Sequence, residues 1–299
     1  MARMAPTLAE RLGFAASDRV AVVHADDIGM CHAANEGAFE ALERGAVTCG
    51  SIMVPCPWFR EAAERARQSP ALDLGIHLTL NSEWPHYRWG PVAGRGRVPS
   101  LLDEQGFLPR TALETVQRAR PEEAEVELRA QIEMALAAGI DVTHFDSHMG
   151  TVFFPPFVDL YVKLARDYRI PVFAVRPEKQ ALVRAGLAAA EPILRRVAET
   201  LEAAGFPLLD AVDADSLDFP PGDGEAHTRM RMERLGRGVS YWIIHPAKEG
   251  EELRAITPDA HARAFEHGFY GGAASRSAFE RAGVRRVGMR ALRELMRAS

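Results

Sequence analysis

The chain has 299 residues, room for one large α/β domain or two small ones with a sizeable core. Lysine and arginine total 36 against 41 acidic residues, a net charge of −5, so no basic surface argues for a nucleic-acid partner. Cys31, Cys49 and Cys56 lack metal-ligand spacing and cannot all pair, which fits a reducing, cytoplasmic compartment. Glu10 and Arg11 interrupt what would have to be the apolar core of a signal peptide. No apolar run long enough for a membrane span follows.

The first strong element is the β-branched run Arg19–Val23, a buried strand. It leads into His24-Ala-Asp26-Asp27-Ile-Gly29, where two adjacent carboxylates repel unless a cation or a proton separates them. Helical spacing over 33–44 ends at Gly45, and 47–54 forms a second strand closed by Pro55. A helix over 58–68 precedes a third strand at 72–80, which carries His77. Residues 81–110 break the rhythm with glycines, prolines and the aromatics Trp84, Tyr87 and Trp89, an irregular insertion that is either functional or mobile.

A helix over 121–138 starts with Pro121 and acidic residues and stops at Gly139. The fourth strand, 142–146, runs into His144-Phe-Asp146-Ser-His148. A helix at 157–168, a fifth strand at 171–176 and a helical stretch from Lys179 to Ala204 follow. The sixth strand is 208–212. The seventh, 239–244, ends at His245-Pro246 after a helix over 225–235. Helical patterns at 258–266 and 276–282, an eighth strand at 285–289 and a last amphipathic helix at 290–297 complete the chain. Seven or eight β-α units without a break in composition predict one α/β domain over 1–299, a deformed TIM-like (β/α) barrel of parallel strands. An open doubly wound sheet is the alternative, but no glycine-rich dinucleotide loop follows the first strand.

On an extended segment His144, Asp146 and His148 point the same way, and three ionisable groups facing a low-dielectric space need a metal or a hydrogen-bond network. Asp27, His77 and a histidine of the fourth strand supply a carboxylate and two imidazoles from three strand tips, a set suited to a catalytic divalent ion. Arg176 and His245 end the fifth and seventh strands, at the same end of the predicted barrel.

These stretches resemble a known family. His24-Ala-Asp-Asp-Ile-Gly with Asn35 in the next helix, Gly75-Ile-His-Leu-Thr-Leu, Thr143-His-Phe-Asp-Ser-His and Ile244-His-Pro are similar to the motifs of the YdjC-like (ChbG/HpnK type) carbohydrate deacetylases. The resemblance implies a deformed barrel of the glycoside hydrolase/deacetylase type, with a divalent metal, Zn2+ or Mg2+, at its mouth. By motif position Asp27, His77 and His148 are the metal ligands, Asp26 the general base and His245 the acid. The substrate implied is an N-acetylated amino sugar, oligosaccharide or glycolipid. Arg176 is expected to orient Asp26, and His144 and Asp146 to orient ligands. Trp84, Tyr87 and Trp89 are expected to stack on sugar, to pack as an insertion or to meet a second subunit of a homodimer. Relatives often carry a further histidine after the fourth-strand motif, where this chain has Met149-Gly150, so the sugar-facing wall differs. Another metal-dependent hydrolase, or a carbohydrate-binding protein without activity, is the rival reading. A glycoside hydrolase would want its two carboxylates on different strands.

Overall fold

Parallel strands covered on both faces read as continuous apolar runs, and the longest strand, β1 (Arg19–Ile28), is buried from Val20 onward. The computed structural model describes residues 6–178 and 191–298. It holds six further strands: β2 (Cys49–Ile52), β3 (Leu74–Leu78), β4 (Val142–Ser147), β5 (Ala211–Asp213), β6 (Gly238–Ile244) and β7 (Val284–Arg286). All pairings are parallel, in the order β4-β3-β2-β1-β6-β5. β7 joins the opening residues of β1, with Arg19 opposite Val284. The side between β4 and β5 is spanned by isolated bridges, Phe145 to Val172 and Val175 to Leu209. The sheet therefore curls into a barrel-like shell rather than lying open.

The expected fifth strand survives only as those bridges. Proline has no N–H for a ladder, and Pro171 and Pro177 bracket the segment. The expected sixth strand is shortened to β5. Of the helix expected from Lys179 to Ala204, residues 179–190 lie outside the described residues, and Glu191–Ala203 is helical. Helices at Leu8–Arg11, Ala112–Arg118 and Glu251–Ile256 were not expected.

Side chains alternate along a strand, and this builds the site. Val20 and Val22 share a small apolar cluster with Cys49, Leu209, Val239 and Tyr241, whereas Ala21, Val23 and Ala25 belong to the larger cluster that includes the helices. Continuing the inner row upward gives His24 and then Asp26. The opposite end of the barrel is covered by helix Met289–Arg297, where Arg293 holds Asp141 and the carbonyl of Val142.

The irregular segment after β3 is packed. Val98, Leu101 and Leu108 are fully buried, and Glu127 accepts the N–H groups of Val92 and Ala93 at 3.0 and 2.8 Å.

Candidate active site and metal centre

In a regular strand neighbouring side chains face opposite ways, so Asp26 and Asp27 could not both enter one site. The backbone resolves this at Asp27, which has φ +62°, a left-handed conformation costing a non-glycine residue about 1–3 kcal/mol. The β1–β2 register breaks over the same residues. Asn35 fixes the turn that follows, its Oδ1 accepting the Gly29 N–H at 2.7 Å while its Nδ2 donates to Glu61 at 2.6 Å.

The result is a buried triad. Asp27 Oδ1 lies 3.5 Å from His77 Nε2 and 3.3 Å from His148 Nδ1. One ligand atom from each of the three residues falls within 4.8 Å of the others. Asp27 Oδ1 has no hydrogen-bond partner of good geometry, its nearest being His148 Nδ1 at 3.3 Å, although a poorly paired buried carboxylate oxygen is costly. Its partner oxygen, Oδ2, accepts from Arg263 Nη1 at 2.7 Å. Burial pushes the Asp27 carboxyl up, but Arg263 and the imidazoles of His148 and His245 override it and hold it well below the usual carboxylate range. An anionic oxygen facing two ring nitrogens fits a divalent cation.

Each imidazole is oriented from behind. His77 Nδ1 lies 2.8 Å from Asp146 Oδ1 and 3.0 Å from Ser51 Oγ. His148 Nε2 lies 2.9 Å from Glu83 Oε2. Such partners fix the tautomer and aim the other nitrogen toward Asp27, as they do where histidines hold a metal. Burial depresses both rings, yet Asp146 and Asp26 raise His77 to about 8, and Glu83 with Asp27 raises His148 to about 10. The His148 ring follows β4 in a tight turn in which Met149 and Gly150 both have positive φ.

Asp26 stands beside this centre. Its Oδ1 is 2.6 Å from His24 Nδ1, and its Oδ2 lies 3.8 Å from both His77 Nε2 and His245 Nε2. His245 is held by Ser216 Oγ, 2.9 Å from its Nδ1, and by Glu266, which accepts both the Ser216 hydroxyl and the His245 backbone N–H.

Other expected residues are placed differently. Arg176 pairs with Glu202 at 2.7 Å, its side chain about half exposed, away from the groups around Asp26. The proline-bounded segment does not form the strand that would have aimed it inward. Arg263, from helix Ala260–Tyr270, is the guanidinium that enters the centre. His144 is fully buried against His24, so it faces no substrate. Trp84 and Trp89 are buried, packed edge to face, with Trp89 6.2 Å from the His148 ring and Arg263 5.9 Å above Trp84. With Tyr87, which donates to the Met30 carbonyl, they form a wall of the centre rather than an exposed stacking platform. Arg263, Glu83, Ser51, Ser216 and Glu266 were missed in the sequence, where none sits in a recognisable motif; Glu83 alone had a signal, its place in an irregular stretch just after β3.

The chain sits within a known lineage. A carbohydrate deacetylase of Thermus thermophilus is 35% identical over 252 residues, covering 84% of this chain and 86% of its own length. One of Brevibacillus brevis is 39% identical over 133 residues, 44% of this chain and 50% of the relative. A crystal structure from Enterococcus faecalis, of a protein named for cellobiose-phosphate cleavage, superposes with a TM-score of 0.74 at 25% identity, over 92% of this chain and 99% of its own. The model of the YdjC-like proteins matches residues 20–281, and the chain belongs to that family.

Proposed function

We propose that this chain is a metal-dependent carbohydrate deacetylase, a hydrolase that removes an N-acetyl group from an amino sugar, oligosaccharide or glycolipid. Its family membership and the name shared by its relatives support the reaction class. The observation that carries the metal is Asp27 Oδ1, buried and poorly paired between two imidazoles. Asp27, His77 and His148 hold the ion, and two nitrogen ligands suit Zn2+ better than the oxygen-preferring Mg2+. When bound, a divalent cation lowers the pKa of water and polarises the acetyl carbonyl.

Asp26 takes the proton of the attacking water, because Oδ2 is its one oxygen free of a short hydrogen bond and it faces the gap. His245 Nε2, across from that oxygen, delivers a proton to the leaving amine. Its Nδ1–H rests on Ser216 and, through it, on the Glu266 carboxylate, which fixes the ring and leaves Nε2 facing the gap. Arg263 holds Asp27 in one orientation and balances its charge. The three buried free thiols are compatible with a cytoplasmic location, and among the described residues no helix is long and apolar enough to cross a membrane.

The test is acetate release from a panel of N-acetylated sugars, with the protein chelated and then reloaded with Zn2+ or Mg2+. Acetate from at least one sugar, lost on chelation and restored by the ion, is expected. No release under any loading, or release indifferent to the chelator, overturns the reading.

A further inference from the structure

Below Asp26 the barrel interior carries polar groups that the chemistry above leaves unused. His24 Nδ1 meets Asp26 Oδ1 at 2.6 Å, His24 Nε2 meets His144 Nε2 at 2.8 Å, and His144 Nδ1 meets Thr143 Oγ1 at 2.9 Å. Thr143 donates onward to the carboxylate of Asp73, just before β3, and Asp73 Oδ2 accepts the Arg290 N–H at 2.6 Å. His24, His144 and Thr143 are 0% exposed, shielded from bulk solvent.

With Thr143 donating to Asp73, or to the Leu74 carbonyl at 3.1 Å, counting protons sets the direction of the links above it. A hydroxyl has one proton, and either acceptor takes that of Thr143. Thr143 is then an acceptor toward His144, which places a proton on His144 Nδ1 and leaves its Nε2 as an acceptor. His24 must offer Nε2–H to it and Nδ1–H to the Asp26 carboxylate, which only accepts, so the His24 ring carries both protons in this chain. Burial, with the facing His24, lowers His144 to about 3, so this ring stays neutral and keeps its acceptor. The fit is also steric. A Cβ on Gly75 would lie 2.6 and 2.7 Å from atoms of the His144 ring, which occupies space that glycine alone leaves. The Tyr241 ring stacks on His24 at 4.7 Å.

We infer that His24, set in place by His144 and Thr143, is a positioning residue for Asp26. The His24 bond holds Oδ1, and so turns Oδ2 toward the gap between His77 and His245. This inference rests on the reading of Asp26 as the base, but its geometry can be tested without turnover.

Two variants separate positioning from packing. His144→Leu fills the ring's place without an acceptor, whereas His144→Gln keeps one near the Nε2 position. In His144→Leu kcat should fall on the order of 10²-fold, with KM and Zn2+ affinity unchanged. His144→Gln should recover most of the loss. If the leucine variant does not fold, Thr143→Val, which cuts the chain one link lower, should lower kcat in the same direction. In chelated wild type with isotope-labelled histidine, the short Asp26–His24 bond should give a far-downfield ring N–H resonance that moves upfield in His144→Leu. Unchanged kcat in a folded His144→Leu, equal losses in the two His144 variants, or an unmoved resonance overturns the inference. So does a second equivalent of Zn2+ on wild type that His144→Leu lacks, because His144 would then be a ligand with His24 and Cys49. If wild type deacetylates nothing, the functional reading fails and the resonance alone decides the positioning.

Discussion

Arg263 Nη1 lies 2.7 Å from Asp27 Oδ2, and the other oxygen of the same carboxylate is left with no hydrogen-bond partner of good geometry. A guanidinium on one oxygen leaves Asp27 a single donor atom for the proposed ion. Asp259 holds the same guanidinium through Nε at 2.7 Å, so its position is over-determined. Removing one partner of a buried pair strands the other charge, typically at about 3–5 kcal/mol. Arg263→Leu should therefore destabilise the chelated protein by up to that amount, most above about pH 8, where His77 no longer offers Asp27 a counter-charge. Saturating Zn2+ should restore part of it. Urea unfolding of both variants, with chelator and with ion, checks this. Equal stability in wild type and variant under chelation would remove Arg263 from the centre.

The raised imidazoles predict a dependence on pH. His77 at about 8 and His148 at about 10 bind protons more tightly folded than at their ordinary 6.5. Their stabilisation of the ion-free protein is full below pH 6.5 and is lost as pH passes about 8 and then about 10. A cation needs the same nitrogens bare, so its affinity climbs over that interval. Tm of the chelated protein should fall across the window, and the gap between chelated and Zn2+-loaded protein should widen. A chelated Tm that rises with pH would refute the shifts.

The sequence made β1 and its charged end legible because a covered strand must be apolar, and carboxylates at its tip stand out. It did not reveal how two adjacent aspartates reach one site: Gly29 takes the positive φ its residue type suits, but Asp27 takes one as well, and nothing in the sequence marks that. Period-two spacing placed His144 and Asp146 on the inner face, but His148 arrives through the turn beyond β4. Position at a strand end suggested Arg176, yet that signal has meaning only where a strand forms. Arg263, Ser216 and Glu266 come from helices and loops far along the chain, where nothing local marks them. The aromatic cluster was legible as unusual. Its burial was not, because exposure depends on the Glu127 and Glu123 contacts that fold the segment down.

Glu83 lies on that segment, 2.9 Å from His148 Nε2. Its charge raises the basicity of the ligand nitrogen and fixes the ring. Glu83→Gln keeps the size but loses the charge, and should weaken the ion by about 10–100-fold, as such outer partners usually do. Calorimetric titration with Zn2+ measures it. His148→Ala should abolish binding at this centre in the same assay. Unchanged affinity in Glu83→Gln would make the contact a packing feature.

Asp26 and His245 are separated by 3.8 Å, and the proposed reaction gives them tasks at opposite ends. Asp26→Asn removes the base but no ligand, so Zn2+ affinity should persist while kcat falls by about 10²–10⁴-fold. That loss should be similar for an N-acetyl sugar and for an aryl acetate, because both need the attacking water deprotonated. His245→Gln should instead depend on the leaving group. An amine must be protonated to depart, whereas an aryl oxide leaves unaided, so the variant should be slow on the sugar and near wild type on the ester. Comparing kcat/KM for the two substrates in both variants separates the roles. If His245→Gln slows both substrates equally, His245 is not the acid. If Asp26→Asn loses the ion, Asp26 is a ligand and the base lies elsewhere.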